Sequence, residues 1–129
     1  MVIDTSAIIA ILRNEVEAAS LAEAILRDRV RLMSAASVLE ASLVIESGQG
    51  PVAGRELDLL LHRLQIDVVP FDREQAEIAR IAWRKFGKGN HPARLNFCDC
   101  CAYALARSSG EKLLFKGVDF SETDLTGAI

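Results

Sequence analysis

The chain has 129 residues, a net charge of −3 and half of its residues apolar, which gives room for one domain, residues 1–129, with a core that needs no disulfide staples. The apolar residues are mainly Ala, Leu, Ile and Val, with five Phe, one Tyr and one Trp, a composition suited to helices on a sheet and ill suited to an all-β fold. The acidic balance argues against a nonspecific nucleic-acid coat, and the first residues carry neither a basic leader nor a long apolar stretch, so a cytoplasmic protein with no membrane anchor is expected.

Residues 1–4 are a short apolar run ending in Asp4, and Thr5 and Ser6 supply hydroxyls suited to capping an apolar helix over 7–12. A second helix, rich in Ala and Glu, is expected over 15–27, then a strand over 30–33. Residues 34–47 read as a third helix, closed by Gly48, Gly50 and Pro51. Leu57, Leu60, Leu61 and Leu64 recur at the spacing of one helical face, which predicts a fourth helix over 53–65. Residues 66–71 are β-rich, and Asp72, with Gln75 at the capping-box position, opens a fifth helix running to 86. Gly87, Gly89, Asn90 and Pro92 mark 87–94 as a loop, followed by a sixth helix over 96–107 and a last strand over 112–116. Strands alternating with helices or helix pairs predict an α/β fold, a parallel sheet covered on both faces.

In such sheets ligands bind beyond the carboxyl ends of the strands, and Asp4 and Asp119 each follow a predicted strand. Val38, Leu39, Ala41, Leu43, Val44 and Ile45 make the third helix apolar nearly all round, so it is expected to be buried. Glu40 within it then either faces a cation or forms a capping box with Ser37. Asp99 stands three residues after Asn96, where a first-turn acid is favoured by the helix dipole. Each acid alone could be a cap or a turn residue. Gathered at one sheet edge, they would repel by about 4 kcal/mol per pair at about 4 Å and an effective dielectric of about 20. A hard divalent cation offsets that repulsion, and oxygen-only ligands select Mg²⁺ or Mn²⁺ over Zn²⁺. Asp4 and Asp99 are the first candidates for direct ligands. Glu40 and Asp119 would bind by side chain or through water, with Thr5, Ser6 and Asn96 behind them. Such a cluster could activate water against a nucleic-acid phosphodiester.

Cys98, Cys100 and Cys101 offer neither a disulfide framework nor a paired zinc spacing, and are expected to be reduced packing residues. Between Ile78 and Cys98 there is no carboxylate, while Arg80, Arg84, Lys85, Lys88, His91 and Arg94 fall there. That window is either a phosphate-contacting patch or a solvated face with a flexible loop.

The segments MVIDTSAIIAIL, LMSAASVLEA, FGKGNHPARLNF, LNFCDCCAYALA and LLFKGVDFSETDL span nearly the whole chain in order, and together they resemble the PIN-domain toxin family called VapC. The resemblance implies a three-layer α/β/α sandwich with a mostly parallel sheet, Mg²⁺-dependent endoribonuclease activity and a homodimer. It also implies a type II toxin–antitoxin role in which a cognate VapB antitoxin occupies the active site. The family's acidic positions carry over to Asp4, Glu40, Asp99 and Asp119, and its hydroxyl after the first Asp to Thr5 or Ser6. Two positions depart: Cys98 stands where the family usually has Gly, and Val118 where Asn or Asp often precedes the last acid. Two other readings compete. A phosphoacceptor receiver domain would use Asp4, Asp72 and Lys116 but leaves Glu40 unexplained, and a catalytically inactive RNA-binding module would use only the basic residues from Arg80 to Arg94.

Overall fold

The computed structural model describes residues 1–129, and its centre is a four-stranded, all-parallel sheet in the order β3-β2-β1-β4. β1 (Val2–Ile3) pairs with β2 (Leu32–Ser34) through Val2 and Leu32, and with β4 (Leu113–Leu114) through Val2–Leu113 and Ile3–Leu114. β3 (Asp67–Val69) lies outside β2, with Leu32, Met33 and Ser34 opposite Asp67, Val68 and Val69. All four strands are shorter than the apolar runs predicted for them, because the flanking residues serve as helix caps or turns.

Alternation along these short strands builds two cores. Ile3 and Leu114 point to one face, where α1 (Thr5–Leu12), α2 (Ala18–Arg27), α3 (Ala35–Gln49) and α4 (Pro51–Arg63) supply Ile8, Leu21, Ile25, Ile45 and Leu57. Val2 and Leu113 point to the other, where α5 (Arg73–Phe86) and α6 (Phe97–Ser109) supply Ala79, Ala82, Tyr103 and Leu105. The result is the expected three-layer α/β/α sandwich.

Caps set the helix boundaries. Asp4, not the Thr5 or Ser6 hydroxyl, caps α1, accepting the Ser6 N–H at 3.0 Å. Ser34 caps α3. That helix runs through Gly48 and stops at Gly50, whose φ of +81° breaks the helical path. Asp72 caps α5 by accepting the Gln75 N–H at 2.9 Å, but the Gln75 side chain donates to Pro70 O instead of returning to Asp72, so the expected box is only half formed. α2 starts later than expected because residues 13–17 are occupied by turns, with Asn14 at φ +51°.

The burial expected of α3 fails as well. α3 is not buried all round: Ser37, Ala41 and Ile45 face the core, whereas Leu39 and Leu43 are 59% and 61% exposed. The helix packs against α1, α4, the sheet and the start of α6, and the side that bears Leu39 and Leu43 is left open to solvent. No helix is long and apolar enough to cross a membrane.

Candidate active site

β1 is flanked by β2, reached through α1 and α2, and by β4, reached only after the chain has passed through α5 and α6. The crevice beyond the carboxyl ends of β1 and β4 is therefore where the two halves of the sheet wind away from each other, the place such folds use for ligands. Asp4 opens directly onto it. Its side chain is nearly inaccessible, and Oδ2 accepts both the Ser6 N–H at 3.0 Å and the Ser6 hydroxyl at 2.6 Å. Burial raises its pKa; the Ser6 bonds oppose that rise and the charge of Glu40 adds to it. The Ser6 oxygen in turn accepts the Lys116 N–H at 2.9 Å, so this one hydroxyl spans the crevice. Thr5 reaches a different partner, donating to Ser37 O at 3.1 Å and tying the start of α1 to α3.

Asp99 stands in the first turn of α6 in a reciprocal capping box: its amide donates to Asn96 Oδ1 at 2.9 Å, and its own Oδ2 accepts the Asn96 N–H at 3.0 Å. Burial pushes its carboxyl up to about 7; the Asn96 bond opposes this, and the charges of Asp4, Asp119 and Glu40 reinforce it. A single acid thus feels the other three. Glu40, half-buried on α3, cannot share a capping box with Ser37, because Ser34 is the cap and Ser37 lies inside the helix with its hydroxyl buried and unpartnered. Asp119 is exposed at the head of a 3-10 turn (Asp119–Glu122), several residues beyond β4. That turn is anchored by buried Phe120, whose ring lies 5.2 Å from that of Phe115.

The three cysteines are free, and Cys100 and Cys101 are buried packing residues as expected. Cys98 is different. It is half-buried, and burial, reinforced by the nearby Glu40 carboxylate, pushes its thiol up to about 12. The larger side chain at this position leaves the cap of α6 intact. Val118 is exposed. Asp72 is occupied as a helix cap, and the Lys116 ammonium pairs with Glu15 and Glu17, so neither stands free as a receiver domain would require.

Arg80, Arg84, Lys85, Lys88 and Arg94 are all exposed and none pairs with a carboxylate. The loop that carries the last two is knit to its surroundings: Leu95 N–H donates to Phe86 O at 2.9 Å, Lys88 N–H to Leu95 O at 3.0 Å, and His91 meets Phe86 edge-on at 5.1 Å. The end of α5 is thereby fastened beside Asn96, the cap of the helix that bears Asp99.

No three acidic, histidine or cysteine side chains form a closed ligand shell by themselves. The donor set nevertheless fits a hard cation. The groups are carboxylates, burial and the charges of neighbouring acids raise the pKa of both Asp4 and Asp99, and Mg²⁺ typically takes one or two carboxylates and fills its remaining positions with water. Two contacts at this edge had no local signal in the sequence. Cys98–Glu40 joins two helices, and Lys116–Glu15 joins residues a hundred positions apart.

The PIN domain profile matches residues 1–125. A ribonuclease VapC of Mycolicibacterium smegmatis is 54% identical over 125 residues, covering 97% of this chain and 97% of that protein. The crystal structure of Mycobacterium tuberculosis VapC20, described as a sarcin-ricin loop cleaving toxin, has a TM-score of 0.78 at 16% identity over 97% of this chain and 95% of that one. A toxin–antitoxin complex from Klebsiella pneumoniae has a TM-score of 0.74 at 15% identity over 95% of this chain and 92% of that one, and both structures are likenesses of fold. With a parallel sheet in the order β3-β2-β1-β4, an acidic crevice at its switch point and more than half of its residues shared with a full-length relative, the chain belongs to the VapC ribonucleases of the PIN-domain family.

Proposed function

We propose that residues 1–129 are a single PIN domain acting as a Mg²⁺-dependent endoribonuclease, with Asp4, Glu40, Asp99 and Asp119 as its catalytic cluster and Mn²⁺ able to replace Mg²⁺. The observation that carries this reading is the coupling at Asp99, whose carboxyl is pushed up to about 7 by burial and by the charges of the other three acids. A bound divalent cation would supply Lewis acidity and a counter-charge for the negative charge that builds on a phosphodiester during hydrolysis.

Asp4 and Asp99 are the direct ligands in this reading, since both carboxyls bear the cost of burial that a cation relieves. Glu40 and Asp119 orient the attacking water, which adds across the P–O bond to leave a phosphate monoester and a free hydroxyl. Ser6 and Asn96 fix the two ligands through one oxygen of each, and Thr5 holds α1 to α3. Arg80, Arg84, Lys85, Lys88 and Arg94 contact the RNA phosphates, since all are exposed and uncompensated by carboxylates.

The biological setting follows the family. The protein acts in the cytoplasm as the toxin of a type II toxin–antitoxin pair and is held inactive by a cognate VapB antitoxin. It works as a homodimer, supported by the exposed apolar residues Leu39, Leu43, Trp83 and Phe97. The deciding experiment incubates purified protein and its Asp99→Asn variant with total RNA, with and without Mg²⁺. Discrete products are expected only from the unmodified protein with Mg²⁺. Equal cleavage by Asp99→Asn would remove the catalytic assignment, and RNA binding without cleavage by the unmodified protein would favour the inactive binding module.

A further inference from the structure

We infer that Lys116, gripped by Glu15 and Glu17, is a positioning residue that fixes Asp119 relative to Asp4; this rests on the proposed carboxylate cluster. After β4 the chain runs exposed from Lys116 to Asp119, and Gly117 sits at φ +101°, a conformation open to glycine and to few other residues. The Gly117 and Val118 amides donate to no protein acceptor. Between the end of β4 and the buried Phe120 ring, the Val118 carbonyl accepts only from Ser121 within its own turn, and the one backbone hydrogen bond to a distant part of the chain runs from the Lys116 N–H to Ser6 Oγ at 2.9 Å.

The Lys116 side chain supplies the second tether. Its ammonium meets the Glu15 carboxylate and lies 3.4 Å from that of Glu17, both in the turn between α1 and α2. α1 is the helix that Asp4 caps. The clamp therefore joins the end of α1 to the segment that carries Asp119, while Ser6 joins its beginning to the same segment. Two fixed points, one on each side of the Lys116 Cα, leave the glycine hinge little freedom. An ammonium facing two carboxylates has its charge compensated, which makes it a poor attractor for RNA phosphate. A positioning role suits it better than substrate contact.

The test titrates Mn²⁺ by electron paramagnetic resonance into the intact protein, Lys116→Met, the double variant Glu15→Gln with Glu17→Gln, Lys116→Arg, and Asp99→Asn. Lys116→Met and the double Gln variant are expected to weaken Mn²⁺ binding about tenfold and to speed amide exchange over residues 115–119. Their kcat should fall with KM for RNA unchanged, and Lys116→Arg should stay close to the unmodified protein. Mn²⁺ binding by Lys116→Met at full strength, with a raised KM, would overturn the proposal and make the lysine an RNA contact. If Asp99→Asn loses the ion while Lys116→Met keeps it, the clamp alone fails; if Asp99→Asn also keeps it, the carboxylate cluster fails and the clamp with it.

Discussion

Asn96 and Asp99 exchange hydrogen bonds across the first turn of α6, each side chain accepting the other's backbone N–H at 3.0 Å or less. The pair does two things at once. It starts the helix, and it commits Oδ2 of Asp99 to the backbone, while Oδ1 takes no hydrogen bond from the protein. Asn96→Ala is expected to cost about 1 kcal/mol of stability, the usual loss for a removed cap, and to lower RNA cleavage by more than that loss explains. Urea unfolding and cleavage rates on the same preparation check both. Full activity at reduced stability would mean that the box serves the helix alone.

The Asp99 carboxyl, pushed up to about 7 from 3.8, keeps in the folded state a proton that the unfolded chain has already released. Stability falls with rising pH wherever the folded state holds more protons, so the metal-free protein loses this contribution as pH climbs from about 4 to about 7. A cation competes with that proton. Mg²⁺ should therefore raise the melting temperature more at about pH 8 than at about pH 5, as scanning calorimetry would show. Equal shifts at both would remove Asp99 from the linkage.

Ser37 carries a buried hydroxyl with no partner, one turn before Ala41 on the core side of α3. Its useful contact is made by its carbonyl, which accepts from Thr5 and survives truncation of the side chain. Ser37→Ala is expected to stabilise the protein by about 1 kcal/mol in urea unfolding, since an unsatisfied buried polar group is removed and little volume is lost. A loss of stability would show that the hydroxyl has a partner in solution.

Phe97 is 76% exposed, and with Trp83, Phe71 and the buried Cys100 and Cys101 it lines an apolar groove of about 410 Å³. If that face joins two copies, Phe97→Glu places a charge in the contact. The expected outcome in analytical ultracentrifugation is a shift from dimer to monomer, together with a red shift of the Trp83 emission. An unchanged sedimentation coefficient would direct the search to the Leu39 and Leu43 side of α3.

Arg84 and Lys88 stand free of carboxylates near the end of α5. Replacing either with Ala should reduce the slope of log affinity against log salt by about 0.7, the value for one phosphate contact on a single strand. The measurement uses the Asp99→Asn background, where RNA is held without being cut. A slope unaffected by both changes would return these residues to the role of a solvated face.

The architecture was largely legible because it depends on patterns within short windows. Asp72 and Asn96 announced two helix starts, and the alternation of strands with helices announced the parallel sheet. Where local pattern misled, tertiary context was the reason. The apolar girth of α3 looked like burial, yet Leu39 and Leu43 face outward, and nothing in their own segment says so. Ser37 looked like a cap because the true cap, Ser34, stands three residues earlier with the same chemistry. The four acids could be nominated singly, but their mutual repulsion at Asp99 is a property of the folded crevice. The grip of Glu15 and Glu17 on Lys116 was invisible, since charged pairs distant in the chain leave no periodicity.

The place of β4 in the sheet has a bearing on how the molecule comes into being. β1 is made first, but its outer edge stays bare until Leu113 and Leu114 arrive to pair with Val2 and Ile3. A chain growing on the ribosome can assemble α1 to α4 against one side of β1 while the crevice lacks its far wall. Until the segment beyond β4 has emerged and docked, the nascent polypeptide holds at most three of the four acids proposed as the catalytic cluster, and on that reading the translation machinery surrounding it is not exposed to a finished nuclease.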